Sequence, residues 1–280
     1  MENFINPKKL GIIPPMDLSL GDPQSISPFP MKLRTHDNSN PTVGSIGLFG
    51  ARRNVTNGLI RLHEGVDLLG DIGTKIFAVQ DGKILAINSK KTALSIEHTK
   101  GFRYVTFYSH LQNINVAVGE TVKQGALIAE IGLFAASDKH LHFEIGYPFR
   151  KNPMNSRNTL RVDPTWALYE WERKRYTNDS TSRNVISVNP KDFLEFSEIT
   201  RGRMLRFVKI KIKNVSRTIY FPVEETEPHD LQMVETLRMA FVNNIKTEIV
   251  WRESLFFNQI EYNFKVNTKI AILAEVKLKR

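Results

Sequence analysis

Between Val43 and Val162 the chain is a succession of short β-branched and aromatic runs punctuated by glycine: LIRLHEGVDLLG, KIFAVQDGKILAIN, TALSIEH, RYVTFYSHL, ALIAEIG and HLHFEIG. Such residues suit a pleated, half-buried surface, and their spacing and turns predict an antiparallel all-β domain. Any chemistry in this region must then be built from residues that share a strand face or sit at strand ends.

The flanks read differently. Residues 1–42 contain seven prolines, counting Pro41, and no helical or strand periodicity, so an extended arm is expected there. Asp163 and Pro164 form an N-cap and first-turn pair, and TWALYEWERKRY after them predicts a helix over about 164–176 that closes the domain begun at 43. The polar stretch beyond it gives a linker at 177–184. RMLRFVKIKIKN and NQIEYNFKVNTKIAILAEVKLK alternate apolar and basic residues at period two, the pattern of strands with one solvated face. Between them Leu231, Val234, Leu237 and Phe241 fall on one helical stripe. Residues 185–280 are therefore expected to form a separate α+β domain that docks onto a protein scaffold or binds wall polymer. The strands around Phe207–Lys213 and Tyr262–Ile272 would pair with a partner's sheet edge, and the helix stripe would be buried either on a partner's surface or on the domain's own sheet.

Composition limits the chemistry. A hydrophobic content of 41% is enough for at least one core, and the absence of cysteine removes disulfides and thiolate metal sites, so any metal must be held by histidine and carboxylate. The net charge of +10 suits a polyanionic partner, but no Lys/Arg run of nucleic-acid type is present, so no specific nucleic-acid site is expected. The first twenty residues have no basic segment leading into an apolar stretch, and no apolar segment reaches the roughly 20 residues needed to span a bilayer. Neither a signal peptide nor a membrane span is expected.

Four of the seven histidines lie in three short motifs of the β-rich region. In HLHFEIG, strand geometry sends His140 and His142 to one face and Leu141 and Phe143 to the other. Alone, such a pair more often marks solvated or hydrogen-bonded histidines than a metal site. His63 and Asp67, in HEGVD, add an imidazole and a carboxylate, and Gly65 between them favours a turn or strand end over a helix. Two imidazoles and one carboxylate make three N/O ligands. Three protein ligands with a position left for water is the pattern of a catalytic zinc site, in which water is acidified to a pKa of about 7.

In order, FGARR (49–53), LHEGVDL (62–68), GTKIFAVQDGKI (73–84), IEHTKGFRYVTFYSHL (96–111), VGETVKQGALIAEIG (118–132), HLHFEI (140–145) and VDP (162–164) resemble the lysostaphin-like (LytM-type) zinc endopeptidases of peptidoglycan, over about 43–170. The resemblance implies an antiparallel β metallopeptidase fold with one Zn2+ on His63, Asp67 and His142, and His110 and His140 as catalytic histidines that do not ligate the metal. It also implies bacterial peptidoglycan as substrate. His98, in the turn IEHTKG, is expected to be structural.

Three departures bear on specificity and rate. LFAASDK precedes His140 where relatives carry a glycine-rich turn, the segment 147–161 is longer than the usual closing loop, and no tyrosine lies shortly ahead of His63. His36, Asn38 and Asn40 in the arm could block the groove or fill the open zinc position, as an upstream asparagine does in latent relatives; the competing reading is a docking arm or linker. A wall hydrolase without a visible export signal needs another route to its substrate, so a virion tail tip, a baseplate or a related contractile injection machine is the expected setting. The alternatives are an exported or holin-released envelope hydrolase, and a non-catalytic structural or regulatory relative.

Overall fold

The computed structural model describes residues 10–16, 32–33, 49–50, 52–54, 60–133, 140–147, 161–177, 184–201, 205–215, 218–223, 228–253 and 268–279. The chain divides into two compact units, Met1–Trp171 and Glu172–Arg280. It is mainly β.

In the first unit the strands are β1 (Lys32–Leu33), β2 (Arg52–Asn54), β3 (Ile60–Leu62), β4 (Val66–Leu69), β5 (Lys75–Phe77), β6 (Gly82–Ile87), β7 (Ala93–His98), β8 (Tyr104–Ser109), β9 (Leu111–Gln112), β10 (Thr121–Val122), β11 (Leu127–Ile131), β12 (His140–Gly146) and β13 (Arg161–Val162). The main sheet is antiparallel in the order β1-β4-β12-β8-β7-β6-β10, with β13 on the far half of β12, and β5-β11-β9 form a smaller sheet. β12 is thus held on both sides, with His142 opposite Asp67 of β4 and Ser109 of β8. The next row, Val66, Phe143 and Tyr108, is fully buried, and the Tyr108 and Phe143 rings lie 5.3 Å apart. Since side chains alternate at period two, a one-residue slip of β12 would exchange the polar row for the apolar one, so burial of Leu141, Phe143 and Ile145 fixes the register that assembles the polar face.

Part of the proline-rich arm is bound to this unit. Leu10, Ile12 and Met16 are buried, the Ile13 N–H donates to the Val79 carbonyl, and the Phe77 N–H donates to the Pro15 carbonyl. Pro15 offers an acceptor and no donor, which suits it to this strand-edge contact. His36, Asn38 and Asn40, most of LFAASDK, and residues 148–160 of the closing loop lie outside the described residues. Helix α1 spans Thr165–Thr177, one residue from its expected bounds, and the Asp163 carboxylate caps it by accepting from the Thr165 N–H at 2.9 Å.

His98 is structural in its surroundings. Fully buried on β7, it stacks on Tyr104, with Nδ1 3.0 Å from the Asp81 carbonyl and Nε2 2.7 Å from the Thr106 hydroxyl. Nδ1–H donates to the carbonyl, and Nε2 shares a hydrogen bond with the Thr106 hydroxyl. Burial, only partly opposed by the Asp81 hydrogen bond, pushes this imidazole down to about 4 from 6.5. The unfolded chain therefore takes up a proton before the folded one does, so stability present above pH 6.5 is lost as pH falls towards 4. The expected loss is about 3 kcal/mol. Urea unfolding of wild type and His98→Gln across pH 7 to 4 checks this: the variant should lose about 3 kcal/mol less over that range, and equal losses would refute it.

The second unit contains β14 (Asn184–Val188), β15 (Phe193–Arg201), β16 (Leu205–Ile212), β17 (Thr218–Val223), α2 (Pro228–Val242), β18 (Thr247–Glu253) and β19 (Thr268–Leu278), with sheet order β14-β18-β19-β17-β16-β15. One expectation is corrected here, and for the helix one of two alternatives holds. The Phe207–Lys213 segment falls largely on β16, between β15 and β17, and of the second segment residues 268–270 already pair with β17 and 271–272 with β18. Among the described residues the outer strands are β14 and β15. The helix stripe also covers the unit's own sheet: Met233, Val234, Leu237 and Ala240 join Val208, Ile210, Ile212, Ile219 and Phe221 in one core, with Phe241 packed at its margin. Leu231, counted into the stripe, is 36% exposed. The buried seam is rotated towards Met233 and Ala240. No helix among the described residues is long and apolar enough to cross a membrane.

Candidate active site

The polar row of β12 gathers the histidines. His63 precedes β4 at a close turn in which Gly65 lies against β12: a Cβ there would stand 2.3 Å from the Phe143 carbonyl oxygen and 2.7 Å from Cγ of Glu144. Only glycine fits without displacing backbone, and this approach brings His63 over Asp67 and His142. Gly65→Ala should cost about 1–3 kcal/mol of stability, the range for overpacking, and loosen the three-residue cluster. Denaturant unfolding checks it, and wild-type stability would show that the turn yields freely.

His63 Nε2 lies 2.9 Å from His142 Nδ1 and 3.1 Å from Asp67 Oδ1, while His142 Nδ1 lies 2.8 Å from the same oxygen. Among the described residues these three form the group able to hold a metal ion, and all three are buried. Two ring nitrogens and one carboxylate oxygen face a single point, where only a proton or a cation can satisfy them together. Donors 2.0–2.1 Å from a tetrahedral ion stand roughly 3.3 Å apart, so the triangle needs to open by only a few tenths of an ångström. Burial works against the Asp67 carboxylate, yet hydrogen bonds from His142 and His63 outweigh it and hold the group far below the usual carboxylate range. Burial likewise opposes charge on His142, and its hydrogen bonds to Asp67 and Glu144 push it up to about 9. The donor set fits a divalent cation.

The other two histidines stand beside the cluster. His140, one strand repeat before His142 on the same face, is buried with Nε2 3.7 Å from Asp67 Oδ1. His110 leaves the end of β8 with φ of 66°, a left-handed backbone uncommon for a residue with a side chain, where the chain turns from the main sheet into β9. Its carbonyl accepts from the Gly132 N–H at 2.7 Å, which ties that corner down. The His110 ring meets His140 edge to face, centroids 4.6 Å apart, and lies 6.0 Å from His142. His110 is half-buried, whereas His63, Asp67, His140 and His142 are buried.

Residues 61–159 match the model of peptidase family M23. Over that stretch the chain is similar to peptidase family M23. Over 98 residues it is 34% identical to the peptidoglycan DD-endopeptidase ShyB of Vibrio cholerae, covering 34% of this chain and 22% of that protein. Over 97 residues it is 31% identical to the murein hydrolase activator NlpD of Escherichia coli, covering 33% of this chain and 25% of that protein. The chain thus spans about a quarter of the curated relatives it matches. Among solved structures, the catalytic domain of the antimicrobial peptidase lysostaphin from Staphylococcus simulans is 27% identical, with 44% of this chain and 89% of that one covered and a TM-score of 0.35.

Two further residues beside the histidines carry no motif of their own in the sequence. Glu144 follows His140 and His142 on the same face of β12, and Arg161 reaches it from β13. The signal was present: HLHFE places three polar side chains at period two, and the third was passed over because it is not a histidine.

Proposed function

We propose that the chain is a zinc-dependent endopeptidase that hydrolyses the peptide part of bacterial peptidoglycan. The observation that carries this is the buried convergence of His63, Asp67 and His142 on one point, with His110 and His140 beside it but outside the donor set. Zinc on those three residues would supply Lewis acidity to a water and to the scissile carbonyl. The chain's own groups supply the rest. His110 and His140 are assigned the proton work: one imidazole takes the proton released as the water oxygen bonds to the carbonyl carbon and delivers it to the amide nitrogen as the C–N bond breaks. The other, as imidazolium, donates to the carbonyl oxygen while it carries negative charge. The left-handed backbone at His110 supports this division, because it turns the ring out of the β8 ladder towards His140.

A second reading, a non-catalytic activator of other wall enzymes, takes its support from the similarity to NlpD. The complete ligand group favours the enzyme. Sacculi stripped of other hydrolases and treated with this chain alone separate the two: solubilisation abolished by a chelator and restored by zinc supports the enzyme, and intact sacculi under all conditions support the activator. The second unit is proposed as a docking or binding module, with β14 and β15 as its outer strands. Neither the fold nor the similar proteins add support for carriage on a tail tip, baseplate or injection machine.

A further inference from the structure

We propose that Glu144 and Arg161 act as a positioning pair that presents His142 to the metal, an inference that rests on the metal-site reading above. Glu144 Oε1 is 2.6 Å from His142 Nε2, the ring nitrogen that faces away from Asp67 and His63. Nδ1 of the same ring is the atom in the donor triangle. An imidazole that donates Nε2–H to a carboxylate keeps its Nδ1 lone pair available, and the carboxylate fixes both the tautomer and the plane of the ring.

Arg161 in turn fixes Glu144. Its Nε forms an ion pair with Glu144 Oε2, and its guanidinium lies 3.8 Å from the centre of the Phe107 ring. Phe107 is the residue opposite Glu144 across β8 and β12, and Arg161 is opposite Gly146 across β12 and β13, so three strands in register set the pair. The Glu144 and Arg161 side chains are only 10% and 5% exposed. Burying two such charges is costly, and apolar residues of similar volume would pack at least as stably. The polar line Arg161, Glu144, His142 ends on a metal-binding nitrogen, which is a reason to keep the charges. Neither Glu144 nor Arg161 reaches the reacting atoms in this scheme; they act through His142.

The test is zinc affinity of the full chain, measured by competition with a chromophoric chelator, for wild type, Glu144→Ala, Glu144→Gln and Arg161→Met, with folding of each zinc-free protein followed by circular dichroism. Glu144→Ala should bind zinc about 10–100-fold more weakly, the range for loss of a partner to a metal-binding histidine. Glu144→Gln should lose less, because its amide oxygen still accepts from Nε2–H, and Arg161→Met should fall between. Nitrogen chemical shifts of His142 in the zinc-loaded protein should report the Nε2–H form. Variants that melt lower without zinc but bind it as wild type does would overturn the proposal, leaving the pair merely structural. If Glu144→Ala does not fold, unchanged affinity in Glu144→Gln and Arg161→Met decides against it. His63→Ala in the same assay keeps the two readings apart: if it binds zinc normally the metal site is wrong, and if it loses zinc while the Glu144 and Arg161 variants do not, only the positioning role fails.

Discussion

A His63→Ala protein is expected to lose both zinc and activity on sacculi. The substitution removes one of three donors from a cluster with no spare: Asp67 and His142 remain, and two N/O groups do not complete a site that needs three protein ligands and a water. If four ligands together supply on the order of 10–16 kcal/mol, losing one weakens binding by roughly 10²- to 10³-fold or more. The loss also leaves the buried Asp67 carboxylate without the His63 hydrogen bond that helps to hold it ionised. Metal analysis of the purified variant is the check, and full zinc occupancy would contradict the ligand assignment.

The second large effect separates holding the metal from using it. His140→Ala and His110→Ala should retain zinc and lose about 10²- to 10⁴-fold in rate, the contribution of a positioned general acid or base. His140 shares its strand face with His142 and approaches Asp67 no closer than 3.7 Å through Nε2, while His110 contacts the group through its ring against His140. Loss of zinc from the His140→Ala protein would make that residue a ligand and change the scheme. Digestion at the wild-type rate by either variant would remove that histidine from the chemistry.

How much of this was legible in the sequence depended on what each pattern reports. Strict alternation in HLHFEIG gave β12 its bounds and its polar face, because period two ties side-chain direction to position. Alternation does not name neighbours, so the same kind of pattern at Phe207–Lys213 misled: it marks a strand with one solvated face and says nothing of whether its edges are open, and β16 proved to be interior. The α2 stripe was misplaced for a related reason. Spacing alone let Leu231 stand in for Met233 and Ala240, and the sheet beneath, known only after folding, chose between them. The left-handed turn at His110 and the fit of Gly65 against the Phe143 carbonyl have no pattern of their own; both arise where distant segments meet. Glu144 was visible as a residue, and only its partners Arg161 and His142 give it a role.

Mass spectrometry of the soluble fragments from purified sacculi decides whether this chain, with its metal in place, hydrolyses a peptide bond in peptidoglycan. The expected fragments carry stem or cross-bridge peptides that have gained one water at an amide, with glycan strands uncut, and they appear with zinc-loaded wild-type protein and are absent with His63→Ala. Sacculi whose peptides remain uncut by zinc-loaded wild-type protein, or whose fragments arise from glycan cleavage alone, would contradict it.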